Sequence, residues 1–328
     1  MRNAATPNIY ALFDDLCRHI IQCDFSSLDI SEKSRGSLHR CVETLPYYSK
    51  IYASCLQGIA DAPNTVLVDY GGGCAFLSHF AKRMGVAKVI YVDINPESVQ
   101  TAEELKRLLG FGPDHIVCGD SVELKKWCGQ NNISPDCLVS VDVIEHIYNL
   151  EFFFDDVMSV NPSMKMVFTT ASNPCNTLKN RKLRKVMIAD EQGRGAEKGF
   201  YAQRLDYIRQ HFPQLAEREL EYWAKNTRGL IFSDIEQAVC SNRPNTAIDR
   251  YNTCDPATGS WTERILPLSE YRRMFAKHRR VLQVENGFFD TNRPQPQKLV
   301  RKALNGIMRA FSNLGRTTAP FIILKTKY

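Results

Sequence analysis

Asp69, Asp93, Asp120 and the run Asp142-Val143-Ile144-Glu145-His146 each follow a short apolar segment of this 328-residue chain. Carboxylates at such ends can accept hydrogens from a ligand's hydroxyl or amino groups. Three consecutive glycines, Gly71, Gly72 and Gly73, come just after Asp69. Glycine there lets the backbone take a positive φ and lets a ligand approach the main chain. The helix start behind them offers free N–H groups and a positive dipole end. Such a corner, at the carboxyl edge of a parallel sheet, is where α/β proteins hold nucleotide-like ligands. Asp93 is placed to accept from vicinal ribose hydroxyls, Asp120 to meet an adenine edge, and Asp69 to receive a cationic amino group. Asp93 and Asp120 also precede helical segments, where a carboxylate caps free N–H groups. His146 is the leading base, since a histidine suits deprotonation of a sugar or phenol hydroxyl. Its alternative role is to cap or pack a helix start.

The elements that must position these residues begin with helices. Over residues 8–61, Ile9, Leu12, Phe13, Leu16, Ile20 and Ile21 recur at helical spacing. A second stretch runs from about Ser37 to Ile59, with Tyr47, Tyr48, Ile51, Tyr52 and Leu56 as buried candidates; Pro46 should break or restart it. Residues 60–64 read as a loop. Strands at Val66–Asp69, Lys88–Asp93, His115–Cys118, Cys137–Val141 and Lys165–Thr170 then alternate with helices at Ala75–Met84, Pro96–Leu109, Ser121–Trp127 and Ile147–Met158. That alternation predicts an α/β fold, a parallel sheet with helices on both faces. Residues 175–265 are polar and aromatic, with helical pieces at Ala202–His211 and Glu217–Lys225, and are too long for a simple connection. They are expected to form an inserted cap. A helix at Leu268–His278, a strand at Arg280–Val284, a basic amphipathic helix at Lys298–Leu314 and a strand at Phe321–Lys325 complete the chain. The predicted organisation is a helical extension (1–63), a Rossmann-like core (64–174), the cap (175–265) and the end of the core (266–328).

Bulk properties narrow the classes. A net charge of +6 and a pI near 8.7 permit an anionic partner without requiring one. The 11 cysteines include no CxxC pair and no zinc-ligand spacing, which fits reduced thiols in a cytoplasmic protein. No run is long enough to span a membrane, and Met1–Pro7 lacks a signal-peptide apolar core.

A dinucleotide site would carry a third glycine at position 76, where this chain has Phe76. The motifs Val68-Asp69-Tyr70-Gly71-Gly72-Gly73-Cys74-Ala75, Val92-Asp93, Gly119-Asp120-Ser121 and Ser140–His146 instead resemble the class I S-adenosylmethionine-dependent methyltransferases over about residues 64–172. The run Asp142–His146 resembles their small-molecule and ubiquinone-type O-methyltransferase group. The family's first motif is DxGxGxG; Ala75 replaces its last glycine here. The resemblance implies a seven-stranded, mostly parallel sheet whose last strand, Phe321–Lys325, runs antiparallel between the fifth and sixth. It further implies that Asp69, Gly71 and Gly73 line the methionine moiety, that Gly72 also belongs to the cofactor site, and that Asp93 binds the ribose. Ile94 would pack on the adenine, Asp120 and Ser121 would meet its edge, and Asp142 and Val143 would lie below the sulfonium. No metal is expected, although ubiquinone-type enzymes use a similar acid/histidine set to bind one.

The acceptor should be chosen by the segment Asn252–Arg264. Trp261 could stack on a sugar face, while Asp255, Glu263 and Arg264 could bond hydroxyls or a carboxylate. The other reading of this segment is a structured turn with Trp261 in the cap core. The expected activity is O-methylation of a small molecule or sugar/glycan precursor. Alternatives are a protein or nucleic-acid methyltransferase docking through basic patches, a non-catalytic cofactor-binding protein, and a dehydrogenase. The basic run Lys179–Lys185 reads as a solvated helix face. Helix Lys298–Leu314 is expected to pack on the sheet, with peripheral membrane contact as its alternative.

Overall fold

Runs rich in valine and isoleucine, each closed by a turn residue, form the central strands. In a computed structural model, describing residues 8–57, 59, 62–195, 197–245 and 249–327, the chain opens with α1 (Ile9–Ile21) and α2 (Glu32–Leu56). The N-terminal Met1–Pro7 and the Ala60–Asp61 part of the expected loop lie outside the described residues. The alternating part follows: β1 (Val66–Tyr70), α3 (Phe76–Arg83), β2 (Lys88–Asp93), α4 (Pro96–Leu109), β3 (His115–Cys118), α5 (Ser121–Asn131), β4 (Cys137–Val141), α6 (Leu150–Val160) and β5 (Lys165–Thr170). Four helices come next: α7 (Thr177–Gln192), α8 (Phe200–His211), α9 (Glu217–Asn226) and α10 (Phe232–Cys240). The chain closes with α11 (Leu268–Lys277), β6 (Val281–Asn286), α12 (Gln297–Ala310), α13 (Ser312–Thr318) and β7 (Ile322–Lys327).

The strands form one sheet in the order β3-β2-β1-β4-β5-β7-β6. All neighbours from β3 to β5 are parallel, and β7 runs antiparallel between β5 and β6. Strand order reverses between β1 and β4, so the crevice for a ligand opens at their carboxyl ends. Asp69 sits opposite Tyr91 and Val139 in the ladder, which brings the ends of β1, β2 and β4 to one level. α1, α2 and α3 pack one face around Phe13, Ile20, Leu38, Leu45 and Phe80. On the other face, Phe153, Phe154, Phe168, Tyr271 and Phe275 are buried between α6, α11 and the sheet. Burial of each such side chain contributes about 1.5–3 kcal/mol.

Several local expectations change. α2 starts earlier than predicted, capped by Ser31, whose hydroxyl accepts the Ser34 N–H at 3.1 Å. It also runs unbroken through Pro46. An interior proline costs about 3 kcal/mol, and burial of Leu38, Leu45, Ile51 and Leu56 along the same helix offsets it. α6 begins at Leu150 because the Asn149 side chain caps the Phe152 N–H at 3.0 Å. The predicted helix Lys298–Leu314 is two helices, interrupted at Phe311 (φ −126°, ψ 82°). α7 extends well beyond the Lys179–Lys185 run that was expected on a helix, and α10 was not predicted.

α8, α9 and α10 share a small core around Ile208, Leu220, Trp223 and Ile235. Beside it, fully buried Arg204 donates to both oxygens of Glu191 on α7 and to the Ala224 carbonyl. The Thr253 hydroxyl donates to the same glutamate at 2.6 Å, tying the Asn252–Arg264 segment to these helices. Among the described residues no helix is long and apolar enough to cross a membrane.

Candidate active site

The three glycines do different work. Gly71 (φ 68°) donates its N–H to the Val92 carbonyl at 2.7 Å, locking the turn to β2. A Cβ there would lie 2.6 Å from Val143, and one on Gly72 would lie 2.6 Å from the Tyr91 ring. Packing therefore requires both glycines. Gly73 (φ 52°) donates to Asp93 Oδ2 at 2.9 Å, yet a Cβ on it would meet nothing within 4 Å. The turn thus presents open space at Gly73. Ala75, where the resembled motif has its last glycine, is fully buried in the left-handed region at φ 56°, which costs an L-residue about 1–2 kcal/mol.

The acids differ in how much hydrogen-bonding capacity they keep. Asp69 is buried, and its Oδ2 accepts from the Ser78 N–H at 3.0 Å and hydroxyl at 2.6 Å. Burial pushes its carboxyl up to about 7, against the lowering by Ser78. Asp69 therefore ties β1 to α3 from beneath the turn, and one of its oxygens is already committed. Asp93 accepts one N–H on each oxygen, from Gly73 and from Asn95, both at 2.9 Å. Each oxygen keeps a further lone pair for a hydroxyl. Ile94 beside it is 72% exposed. Asp120 caps α5, its Oδ1 accepting from the Val122 and Glu123 N–H groups at 2.9 and 3.4 Å. The Ser121 hydroxyl departs from expectation. It donates to Asp156 on α6 at 3.1 Å, so it turns away from the crevice.

Past β4, Asp142 is held at φ 55°. Its Oδ1 accepts from the Thr169 hydroxyl at 3.2 Å, and its Oδ2 from the Tyr48 hydroxyl at 2.9 Å. Val143 packs under Gly71. His146 Nδ1 lies 2.7 Å from the Trp261 carbonyl. A carbonyl only accepts, so Nδ1 carries the hydrogen and Nε2 holds the free lone pair of the neutral ring.

A second polar group gathers at the ends of β4 and β5. Glu145 is buried, and its Oε1 accepts the Ala171 N–H at 2.9 Å. Burial raises its carboxyl to about 8, with Asp142 and Glu263 adding to the rise. Glu263 accepts from the Ser172 hydroxyl at 2.8 Å. Lys179 donates to the Pro320 carbonyl. Burial lowers its pKa, while the charges of Asp142, Glu263 and Glu145 counteract.

The remaining residues expected to bind the acceptor are occupied elsewhere. Asp255 closes its own turn, accepting from the Ala257 N–H and the Thr258 hydroxyl at 2.9 and 2.8 Å. Trp261 is 8% exposed, donates to the Tyr148 carbonyl at 3.2 Å and stacks on the Tyr148 ring. The Arg264 guanidinium lies 4.6 Å from the Trp261 ring centre, and both residues border a cleft of about 560 Å³ with Tyr148, Asp234 and Arg273. Trp261 is thus a packing residue, not an open stacking platform. The run Lys179–Lys185 is not one solvated face either: Lys179 turns inward and Arg184 pairs with Asp249 at 2.8 Å.

α2 supplies residues that sequence reasoning missed. Tyr48 reaches Asp142, Tyr52 lies close enough to Asp69 to feel its charge, and Cys41 packs in the same cluster as Cys74 of the glycine turn. Positions 41, 48 and 52 share one helix face, which is the signal that could have found them.

Residues 68–162 match the family model described as a methyltransferase domain. Among solved structures, the chain is similar to a SAM-dependent methyltransferase from Agrobacterium tumefaciens (17% identity, TM-score 0.31), covering 39% of this chain and 44% of that one. It is also similar to S-adenosylmethionine-dependent methyltransferases from Mesorhizobium loti (12%, TM-score 0.42, 85% and 97% covered) and Aquifex aeolicus (17%, TM-score 0.30, 36% and 63% covered). The chain therefore spans less than half of the Agrobacterium protein and nearly all of the Mesorhizobium one. No curated protein matches it. The match over residues 68–162 marks a methyltransferase domain within this chain, carried on the seven-stranded sheet.

Proposed function

We propose that this chain is an enzyme transferring the methyl group of S-adenosylmethionine to a hydroxyl of a small molecule or sugar/glycan precursor. The observation that carries the reading is the open space at Gly73 beside Asp93, whose oxygens keep accepting capacity, and the exposed Ile94. These three fit the cofactor: room for its chain at the turn, an acceptor pair for its ribose diol, and an apolar surface for its adenine. Asp120 adds an acceptor at the adenine edge. Asp142 and Val143 form the floor below the sulfonium, and Asp69 braces the turn from beneath. When bound, the cofactor supplies an electrophilic methyl on a sulfonium that leaves as a neutral thioether.

His146 Nε2 takes the proton of the acceptor hydroxyl, because the Trp261 carbonyl fixes the hydrogen on Nδ1. Glu263, held by the Ser172 hydroxyl at the end of β5, offers a carboxylate to a polyhydroxy acceptor, with residues 175–265 as the cap that selects it. Docking of nucleic acid through the Lys179–Lys185 run is disfavoured, since two of its cations are spent on internal partners.

Calorimetry with S-adenosylhomocysteine should show binding that Asp93→Ala abolishes, and unchanged affinity in that variant would sink the cofactor assignment. A screen of hydroxylated acceptors with methyl-labelled cofactor should find a product whose formation His146→Gln reduces by about 10²-fold or more. Labelling confined to protein or RNA would replace the small-molecule reading.

A further inference from the structure

We propose that the outward side of α12 and α13 docks on an anionic lipid bilayer surface. Packing on the sheet, the expected role of this segment, accounts for little of it: in α12 only Met308 is buried. Leu299, Val300 and Ile307 are 61%, 57% and 44% exposed, and Phe311 and Leu314, at and beyond the break, are 60% and 62% exposed. The helix is held instead by polar bonds on its inner side. Arg301 donates to the Asp290 carbonyl at 2.9 Å, the Asn305 side chain bonds both main-chain groups of Phe289, and Asn286 donates to the Met308 carbonyl at 3.2 Å. The apolar edge is thus left outside by a mounting that does not use it.

Charge identifies the occupant. From Thr291 to Tyr328 the chain has no aspartate or glutamate, but it carries Arg293, Lys298, Arg301, Lys302, Arg309, Arg316, Lys325 and Lys327. Lys298, Lys302 and Arg309 make no ion pair among the described residues. At about 100° per residue, Leu299, Val300, Ala303 and Ile307 share an arc of about 100°, and these three cations fall together within about 40°, centred about 130° from the middle of that arc, between it and the inner side that carries Asn305. An interfacial helix needs this pairing: apolar side chains reach the acyl boundary while long cationic chains stay level with the headgroup phosphates. A second copy of the chain is a poor occupant. Two-fold pairing of the patch would set the unpaired cations against their own counterparts. The surface does not depend on the methyl-transfer reading.

Co-sedimentation of the full chain with phosphatidylcholine vesicles containing phosphatidylglycerol tests the proposal. The protein should pellet with them at low salt, be released at high salt, and stay in solution with pure phosphatidylcholine. Paired substitution of Lys298→Ala and Lys302→Ala should weaken binding by about 25-fold, about fivefold for each cation near an anionic surface. Leu299→Ser with Phe311→Ser should abolish it at an unchanged melting temperature, because both side chains are exposed. Val300→Ser with Ile307→Ser is the second pair on the same side. Failure to pellet with anionic vesicles overturns the proposal. Binding that survives both apolar pairs does so as well. A concentration-dependent dimer lost in Leu299→Ser, without vesicle binding, would assign the face to a second copy.

Discussion

One substitution made at two positions of the glycine turn should give opposite phenotypes. Gly71 and Gly73 both hold positive φ, at 68° and 52°, so an alanine at either pays about 1–2 kcal/mol of backbone strain. They differ in what the new methyl meets. At Gly71 it would lie 2.6 and 2.8 Å from the two γ-carbons of Val143, and forced repacking adds about 1–3 kcal/mol. Gly71→Ala should therefore lose about 2–5 kcal/mol of stability, read as a clear fall in melting temperature. At Gly73 the methyl meets nothing within 4 Å, and the N–H to Asp93 survives, so Gly73→Ala should lose only the strain. Its methyl would instead enter the space assigned to the cofactor. Calorimetric affinity for S-adenosylhomocysteine should drop by about tenfold or more, the value of a kilocalorie or two of overlap. Wild-type affinity in Gly73→Ala would show that the open space is not the cofactor's. Equal melting losses for the two variants would show that Val143 does not discriminate between them.

Other outcomes follow from buried polar groups. Tyr48→Phe keeps the ring but removes a hydrogen bond to the Asp142 carboxylate, a bond of a kind worth about 1.5–3 kcal/mol; turnover with the labelled cofactor should fall by tenfold or more, and wild-type turnover would remove Tyr48 from the site. Glu145 is held at about 8 by burial against 4.5 unperturbed. Between those values the folded chain keeps a proton that the unfolded chain releases, so this group's contribution is fully present below 4.5 and lost as pH rises towards 8. Glu145→Gln removes that slope: its melting profile should meet the wild type's at the acid end and lie above it towards pH 8, and parallel profiles would refute the burial argument. Glu191→Ala leaves the fully buried Arg204 guanidinium unpaired, and denaturant unfolding should show a loss of about 3–5 kcal/mol. A loss below about 1 kcal/mol would mean that water reaches the arginine.

The sheet was legible because its signals are local. β2, β3, β4 and β5 lie where their apolar runs predicted, since a short valine-rich run closed by a turn residue has few other uses. The glycine corner was legible for the same reason: Gly71 and Gly73 take the left-handed backbone that few other residues tolerate. Pro46 misled because the cost of an interior proline is local, while the burial that offsets it comes from Leu38, Leu45 and Ile51 against other helices. Asp255 and Trp261 misled in the opposite sense. A tryptophan, a carboxylate and a Pro/Gly turn look like a ligand-binding loop, but the same residues can satisfy one another. Here Asp255 bonds its own turn and Trp261 lies between Tyr148 and Arg264.

The residues around the proposed donor and acceptor sites come from parts of the chain that share no local pattern. Tyr48 meets Asp142 across 94 positions, and Ser172 meets Glu263 across 91. No spacing rule covers such pairs, because they exist only after α2 and residues 175–265 have packed. Their packing also changes what the helical extension is. Phe13 on α1 lies edge-on to Phe80 of α3 at 4.7 Å, and Leu38 and Leu45 share a core with Leu77 and Phe321. α1 and α2 are therefore joined to the sheet by the core itself. The face of α2 that carries Cys41, Tyr48 and Tyr52 then has to lie along the glycine turn, Asp142 and Asp69.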